Sequence, residues 1–182
     1  LVVSLAVFLA SWNLGQAADL TYPDDFAEGT TLQQAIDDAG ISTGETLTVT
    51  GPGPYKGFNN ARALVIIGDA NGDGSGAKVL IQASTDADFI CPDNDCPLVL
   101  NHQGGTVENF TFEVSGGGVT NCHRLAFAGD NGGTWRNCTF RITDTWPCEM
   151  NAFDVTGGDE STPAILVEDC VMEQTASNFS EV

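Results

Sequence analysis

The stretch GDANGDGSG, Gly68 to Gly76, sets Asp69, Asn71 and Asp73 at alternate positions and follows them with Gly74. That spacing is the first half of a calcium loop, D-x-[DN]-x-[DN]-G, in which alternate oxygen-bearing side chains wrap one hard cation. Where a complete loop has its bidentate Glu, counted from Asp69, this chain has Leu80, and no helical pattern flanks the motif. The residues read either as a partial calcium site or as a Gly/Asp turn between two strands.

Acid–base chemistry has one other mixed cluster to draw on. His123 and Arg124 carry opposite chemistry to the acidic residues Asp144, Glu149, Asp154, Asp159 and Glu160 further along. The segments CHRLAF (Cys122 to Phe127) and CEMNAF (Cys148 to Phe153) share C-x-x-x-A-F. Aligning them puts Arg124 near Met150 and its neighbours, with Glu149 in reach of either basic residue. His123 would then be the general base, with Arg124 and Glu149 as its charged neighbours. The plainer reading is a surface pair next to a disulfide. Tyr55 and Trp146 fall between strands, where an aromatic ring can stack on a sugar.

Six cysteines divide by context. Cys91 and Cys96 enclose PDND and suit a loop clip, and Cys122 with Cys148 suits a second disulfide. Cys138 and Cys170 belong to a repeated apolar column and favour a buried thiol stack over a bond. His102 and His123 complete no zinc-ligand spacing with these cysteines.

These residues must be positioned by a chain of 182 residues, long enough for one domain with a sizeable core. Asp and Glu number 25 against 6 Lys and Arg, a formal charge of −19. Such a surface repels phosphate backbones and anionic membranes, so nucleic acid is not the expected partner. LVVSLAVFLA at the start is an apolar run too short for a comfortable span, and Gly15 and Ala17 are the small residues of a cleavage site. Residues 1–17 therefore read as an export signal lacking its Met and basic segment. Residues 18–29 follow as an acidic N-terminal segment, in a chain destined for secretion or the cell surface and with no strong membrane association beyond its signal.

One amphipathic helix stands out in TTLQQAIDDAG, where Leu32, Ala35, Ile36 and Ala39 form a single stripe. Thr30 and Gln33 have capping-box spacing, and Gly40 suits the residue after the helix. Beyond it the chain breaks into short β-like runs at 46–50, 63–67, 78–82, 97–100, 124–128 and 152–155, divided by Gly, Asn and Asp. Three further phrases repeat: GGTVENFTFEVS, GGTWRNCTFRIT and LVEDCVMEQT. Superposed, they align Val107/Trp135/Val167, Asn109/Asn137/Asp169, Phe110/Cys138/Cys170 and Phe112/Phe140/Met172, at offsets of 28 and 32 residues. Such periods fit a stack of repeats that bury one another's apolar faces. Glu108/Arg136/Glu168 and Thr111/Thr139/Val171 fall between the apolar columns and should point outward. The Asn column suits a tight corner with its amides bonded from one repeat to the next. Asn109 and Asn137 also begin sequons, as does Asn178, but a column expected to face inward favours architecture for the first two.

An apolar–x–Asn–apolar–x–apolar phrase in each repeat, after an amphipathic helix and a strand leading into GPGPYKG, resembles the pectin/pectate-lyase-like superfamily. The resemblance spans Thr30 to Thr175 and implies an all-β, right-handed parallel β-helix with an N-terminal capping α-helix. Residues 30–182 would form that domain, incomplete at its C-terminus because Val182 falls within a repeat. It further implies a protein that binds or processes polysaccharide, acidic or of plant or algal type, with calcium as the expected cofactor. The lyases of such a family pair calcium-binding carboxylates with a Lys or Arg base, and the glycosidases use paired Asp; neither motif is recognisable here. The alternative is a non-catalytic adhesin or structural β-solenoid.

Overall fold

The computed structural model describes residues 19–39, 45–51, 53–83, 97–101, 103–118, 124–129, 132–143, 151–156 and 165–174. For several strand residues, Arg124 and all of 151–156 among them, it describes the backbone alone. In chain order come β1 (Asp19–Tyr22), α1 (Leu32–Ala39), β2 (Thr46–Val49), β3 (Val65–Gly68), β4 (Ala77–Ala83) and β5 (Pro97–Leu100). There follow β6 (Thr106–Glu108), β7 (Phe110–Gly118), β8 (Arg124–Gly129), β9 (Gly133–Arg136), β10 (Thr139–Ile142), β11 (Asn151–Thr156), β12 (Ile165–Glu168) and β13 (Val171–Gln174). The fold is mostly β, its sheets are parallel, and among the described residues it has one short helix.

Among the described residues the strands fall into three sheets, in the orders β1-β2-β3-β6-β9-β12, β4-β7-β10-β13 and β5-β8-β11. From β3 onward the chain visits them in rotation, so each strand pairs with its counterpart one repeat earlier. The columns read from the repeated phrases are the observed register: Val107 pairs with Trp135 and Trp135 with Val167, Phe112 with Phe140 and Phe140 with Met172. β1 was not foreseen; Asp19–Tyr22 pairs residue for residue with Thr46–Val49 and lies in what reads as the signal's flank and the acidic segment.

Because side chains alternate along a strand, one face of every sheet turns into a single core. Phe58, Phe110, Phe112, Trp135 and Phe140 are its largest fully buried members. Phe112 stacks on Phe140 at 5.4 Å and 14°, and Trp135 meets both rings edge-on. The stripe Leu32, Ala35, Ile36 and Ala39 joins the same core. Two consecutive Thr and two consecutive Gln leave the cap ambiguous in sequence, and the structure places it one residue later than expected. Thr31 Oγ1 accepts from the Gln34 amide at 3.2 Å, and Gln34 Oε1 accepts from the Thr31 amide at 2.9 Å. Gln33 is thereby released to clamp the helix to the sheets, accepting from the Asn59 amide at 2.7 Å and donating to the Asn59 carbonyl at 3.2 Å.

Corners between sheets require left-handed backbone. Asn109, Asn137 and Asp169 have φ of 61°, 50° and 51°, values that Asn and Asp tolerate better than other side-chain-bearing residues. Their side chains do not enter the core, as an inward column would require. The left-handed turn swings them along the stack instead, where Asn137 Nδ2 donates to Asn109 Oδ1 at 3.1 Å and Asn109 Nδ2 to the Gly68 carbonyl at 2.7 Å. The nitrogens that a glycan would need are thus already donors.

A second corner column consists of Ala63, Gly104 and Gly132, with φ of 58°, 79° and 75°. Behind it runs a ladder that the sequence reading missed. Buried Asn60 Nδ2 donates to Asn101 Oδ1 at 3.1 Å, and Asn101 Nδ2 donates to the Thr134 carbonyl at 3.0 Å. A Cβ on Gly105 would collide with the Asn60 amide, so the close approach at this corner needs glycine.

Opposite outcomes are expected at the two corners. Ala63→Gly relieves a strained left-handed alanine and should stabilise by about 0.5–1 kcal/mol. Asn109→Ala loses both the tolerated backbone and the ladder and should cost about 2 kcal/mol. Urea unfolding with unchanged m values checks both.

Candidate functional site

The GDANGDGSG loop occupies a corner. Ile67 pairs with Glu108 and Ala77 with Phe110, so residues 68–76 stand where the next repeat has Asn109 alone. Asn71 to Ser75 are exposed and Asp69 is half-buried. The candidate calcium ligands are built into the turn by their own bonds. Asp69 Oδ1 accepts from the Gly74 amide at 2.7 Å, Asp73 Oδ1 from the Ser75 amide at 2.9 Å, and Asn71 Nδ2 donates to Ser75 Oγ at 3.0 Å. Hydrogen bonds from the Ser75 hydroxyl and amide hold the Asp73 carboxyl below its ordinary value. The Gly68 and Gly74 carbonyls already accept from Asn109 Nδ2. Calcium takes six to eight oxygens, and among the described residues no three His, Cys, Asp or Glu side chains gather as a metal cluster.

The strand register places Arg124 opposite Asn151, the neighbour of Met150, and Ala126 opposite Phe153. Matching the two C-x-x-x-A-F segments is therefore off by one residue, which in a sheet exchanges the two faces. On its other side β8 pairs Arg124 with Pro97 and Ala126 with Val99. His123, Glu149 and Trp146 lie outside the described residues, as do Cys91, Cys96, Cys122 and Cys148, and for Arg124 only the backbone is described.

Cys138 and Cys170 are free thiols in the column headed by Phe110. Cys138 is buried and its amide donates to Cys170 Sγ at 3.4 Å. Hydrogen bonding to Cys170, then burial, push the Cys138 thiol up; the bonds from Cys138 pull the half-buried Cys170 thiol down.

A cavity of about 480 Å³ opens at the α1 end. Tyr22, Phe26 and Tyr55 line it, with Glu28, Thr30 and Lys56 among its polar groups. Tyr55 sits here because its backbone extends the sheet of β4: its amide donates to the Lys78 carbonyl at 2.8 Å, and its carbonyl accepts from the Leu80 amide at 2.9 Å. Its ring meets Tyr22 at 5.8 Å and 64°, and Tyr22 meets Phe26 at 5.9 Å. Tyr22 donates its hydroxyl to the Thr30 carbonyl at 2.8 Å, fixing the segment that leads into α1. Burial, with the Tyr22 phenol adding to it, pushes the Tyr55 hydroxyl up to about 12, so Tyr55 stays neutral at any physiological pH. The sequence signalled Tyr55 but not Tyr22 or Phe26, which sit 33 and 29 residues before it in an acidic stretch.

Three of the six basic residues are committed to columns on the outer faces. Arg136 bridges Glu108 and Glu168, at 3.4 and 3.0 Å. Arg141 bridges Glu113, at 3.4 Å, and Glu173, at 2.6 Å, and Lys78 reaches Glu113 at 3.1 Å. The ion pairs raise both guanidinium groups further above their ordinary range. No helix among the described residues is long and apolar enough to cross a membrane. Comparison with the profiles of known protein families, with curated proteins and with solved structures finds no match.

The two stacked thiols should differ in reactivity, because the thiolate is the nucleophile and Cys138 is held protonated and buried. Iodoacetamide at neutral pH should label Cys170 well before Cys138, read by peptide mapping of a time course; equal rates would show that the pair is not polarised in this way.

Proposed function

We propose that this chain is an exported right-handed parallel β-helix of the pectate-lyase-like kind, with α1 as its N-terminal cap, and that it binds polysaccharide. The rotation of successive strands through three parallel sheets, with left-handed corners between them, supports the β-helix reading. Fold alone does not fix activity. The observation that carries binding is the aromatic cavity, which half-buried Tyr55 lines together with Thr30, Glu28 and Lys56.

Charge selects how an acidic glycan would be held. A chain of −19 repels a polyuronate, so calcium bridging protein and sugar carboxylates is part of this reading, with Asp69, Asn71 and Asp73 as the residues to hold the ion. Processing of the glycan would fall to His123, Arg124 and Glu149. The second reading is a non-catalytic surface or structural solenoid. It is favoured by one observation: Lys78, Arg136 and Arg141, three of the six basic residues, are spent on ion pairs between strands.

Binding to polygalacturonate, measured with calcium and with a chelator, tests the proposal. Calcium-dependent retention, weakened at least tenfold by Tyr55→Ala in protein that circular dichroism shows to be folded, is the expected result. Release of unsaturated products would add catalysis. Absence of retention, or retention indifferent to Tyr55→Ala, would contradict the binding site.

A further inference from the structure

Gly51 and Gly53 lie just before Tyr55 in GPGPYKG, and each is a glycine for a different reason. Gly53 has φ of 67°, and a Cβ there would stand 2.8 Å from the Lys78 carbonyl. Backbone geometry alone requires it. Gly51 lies outside the left-handed region, so its φ makes no demand for glycine. A Cβ at Gly51 would instead collide with the Tyr55 hydroxyl. Tyr55 Cζ and Pro23 Cδ would lie 3.5 and 3.7 Å from it, which are ordinary contact distances. The phenol oxygen is therefore the one atom that keeps a side chain out of position 51.

Both sides of this contact are fixed by the sheets. Tyr55 bridges to Val79, with its amide and carbonyl bonded to Lys78 and Leu80. Gly51 follows Thr50, whose amide and hydroxyl donate to the Tyr22 carbonyl at 2.9 and 3.2 Å. Burial is the largest influence on the Tyr55 phenol and outweighs the hydrogen bond from the Gly53 backbone, which pulls the other way. A phenol oxygen set between Gly51 and Pro23 accounts for that burial.

We propose that Gly51 is a positioning residue for the aromatic cavity: by leaving room for the Tyr55 hydroxyl, it fixes the pose in which that ring meets a ligand. This role rests on the reading of the cavity as the polysaccharide site.

Gly51→Ala, Tyr55→Phe and the double variant test it. The chain has two tyrosines, so ring-labelled tyrosine gives two sets of nuclear magnetic resonance signals, and those of Tyr22 report the Tyr55 ring 5.8 Å away. Gly51→Ala should shift the Tyr22 signals and weaken calcium-dependent retention on polygalacturonate at least tenfold. In the Tyr55→Phe background the collision is gone. There the same change should leave the Tyr22 signals in place and weaken retention by less than about twofold. Gly53→Ala is the control, because its Cβ meets backbone and Tyr55→Phe should not relieve its effect. Tyr22 signals unmoved by Gly51→Ala, or an effect of Gly51→Ala that is equal in both backgrounds, would overturn the role. If Gly51→Ala alone does not fold, folding of the double variant supports the role and its failure to fold contradicts it. Should the unaltered protein retain no polygalacturonate, the polysaccharide reading falls, while the Tyr22 signals still decide what Gly51 does.

Discussion

Parallel pairing in a constant register sets each residue directly over its counterpart in the neighbouring repeat, about 4.8 Å away. The rest of the structure answers to that constraint. Like aromatic residues can stack, as Phe112 and Phe140 do at 5.4 Å. Like charges cannot, and the outer columns alternate in sign, with Arg136 between two Glu and Arg141 between two more. Corners must turn at the same place in each repeat, so left-handed residues recur at 109, 137 and 169 and again at 63, 104 and 132. A corner can also take an insertion: nine residues, 68 to 76, replace Asn109 while Ile67 still pairs with Glu108 and Ala77 with Phe110.

Much of this was legible because the chain repeats itself. The phrases around Asn109, Asn137 and Asp169 align without gaps, and each aligned column is a column in space. The C-x-x-x-A-F match has an offset of 26 residues where the strands pair at 27, and in a structure of period two a slip of one inverts the faces. The amide pair Asn60 and Asn101 carried a readable signal: their separation of 41 residues is that of Val65 and Thr106, which pair in β3 and β6. β1 escaped because its four residues contain only one alternation, Leu20 to Tyr22.

The candidate site was legible in part and for a different reason. Chemistry written within a few residues, as in Asp69, Asn71 and Asp73, shows in the sequence even when the side chains prove to be holding their own turn. Chemistry assembled across the fold does not. The aromatic cavity joins Tyr22 and Phe26, on the approach to α1, to Tyr55, which the sheet of β4 fixes through its backbone. Nothing in either segment alone points to the other. The same holds for Gln33, whose clamp on Asn59 crosses 26 residues and ties the helix to the stack it covers.

Register is the central claim, and side-chain contacts in solution report it directly. Nuclear Overhauser effects from the Phe140 ring are predicted to reach Phe112 and Trp135, with backbone contacts linking Thr139 to Thr111 on one side and to Val171 on the other. Contacts displaced by one residue, such as Phe140 to Thr111 or Glu113 in place of Phe112, would contradict it.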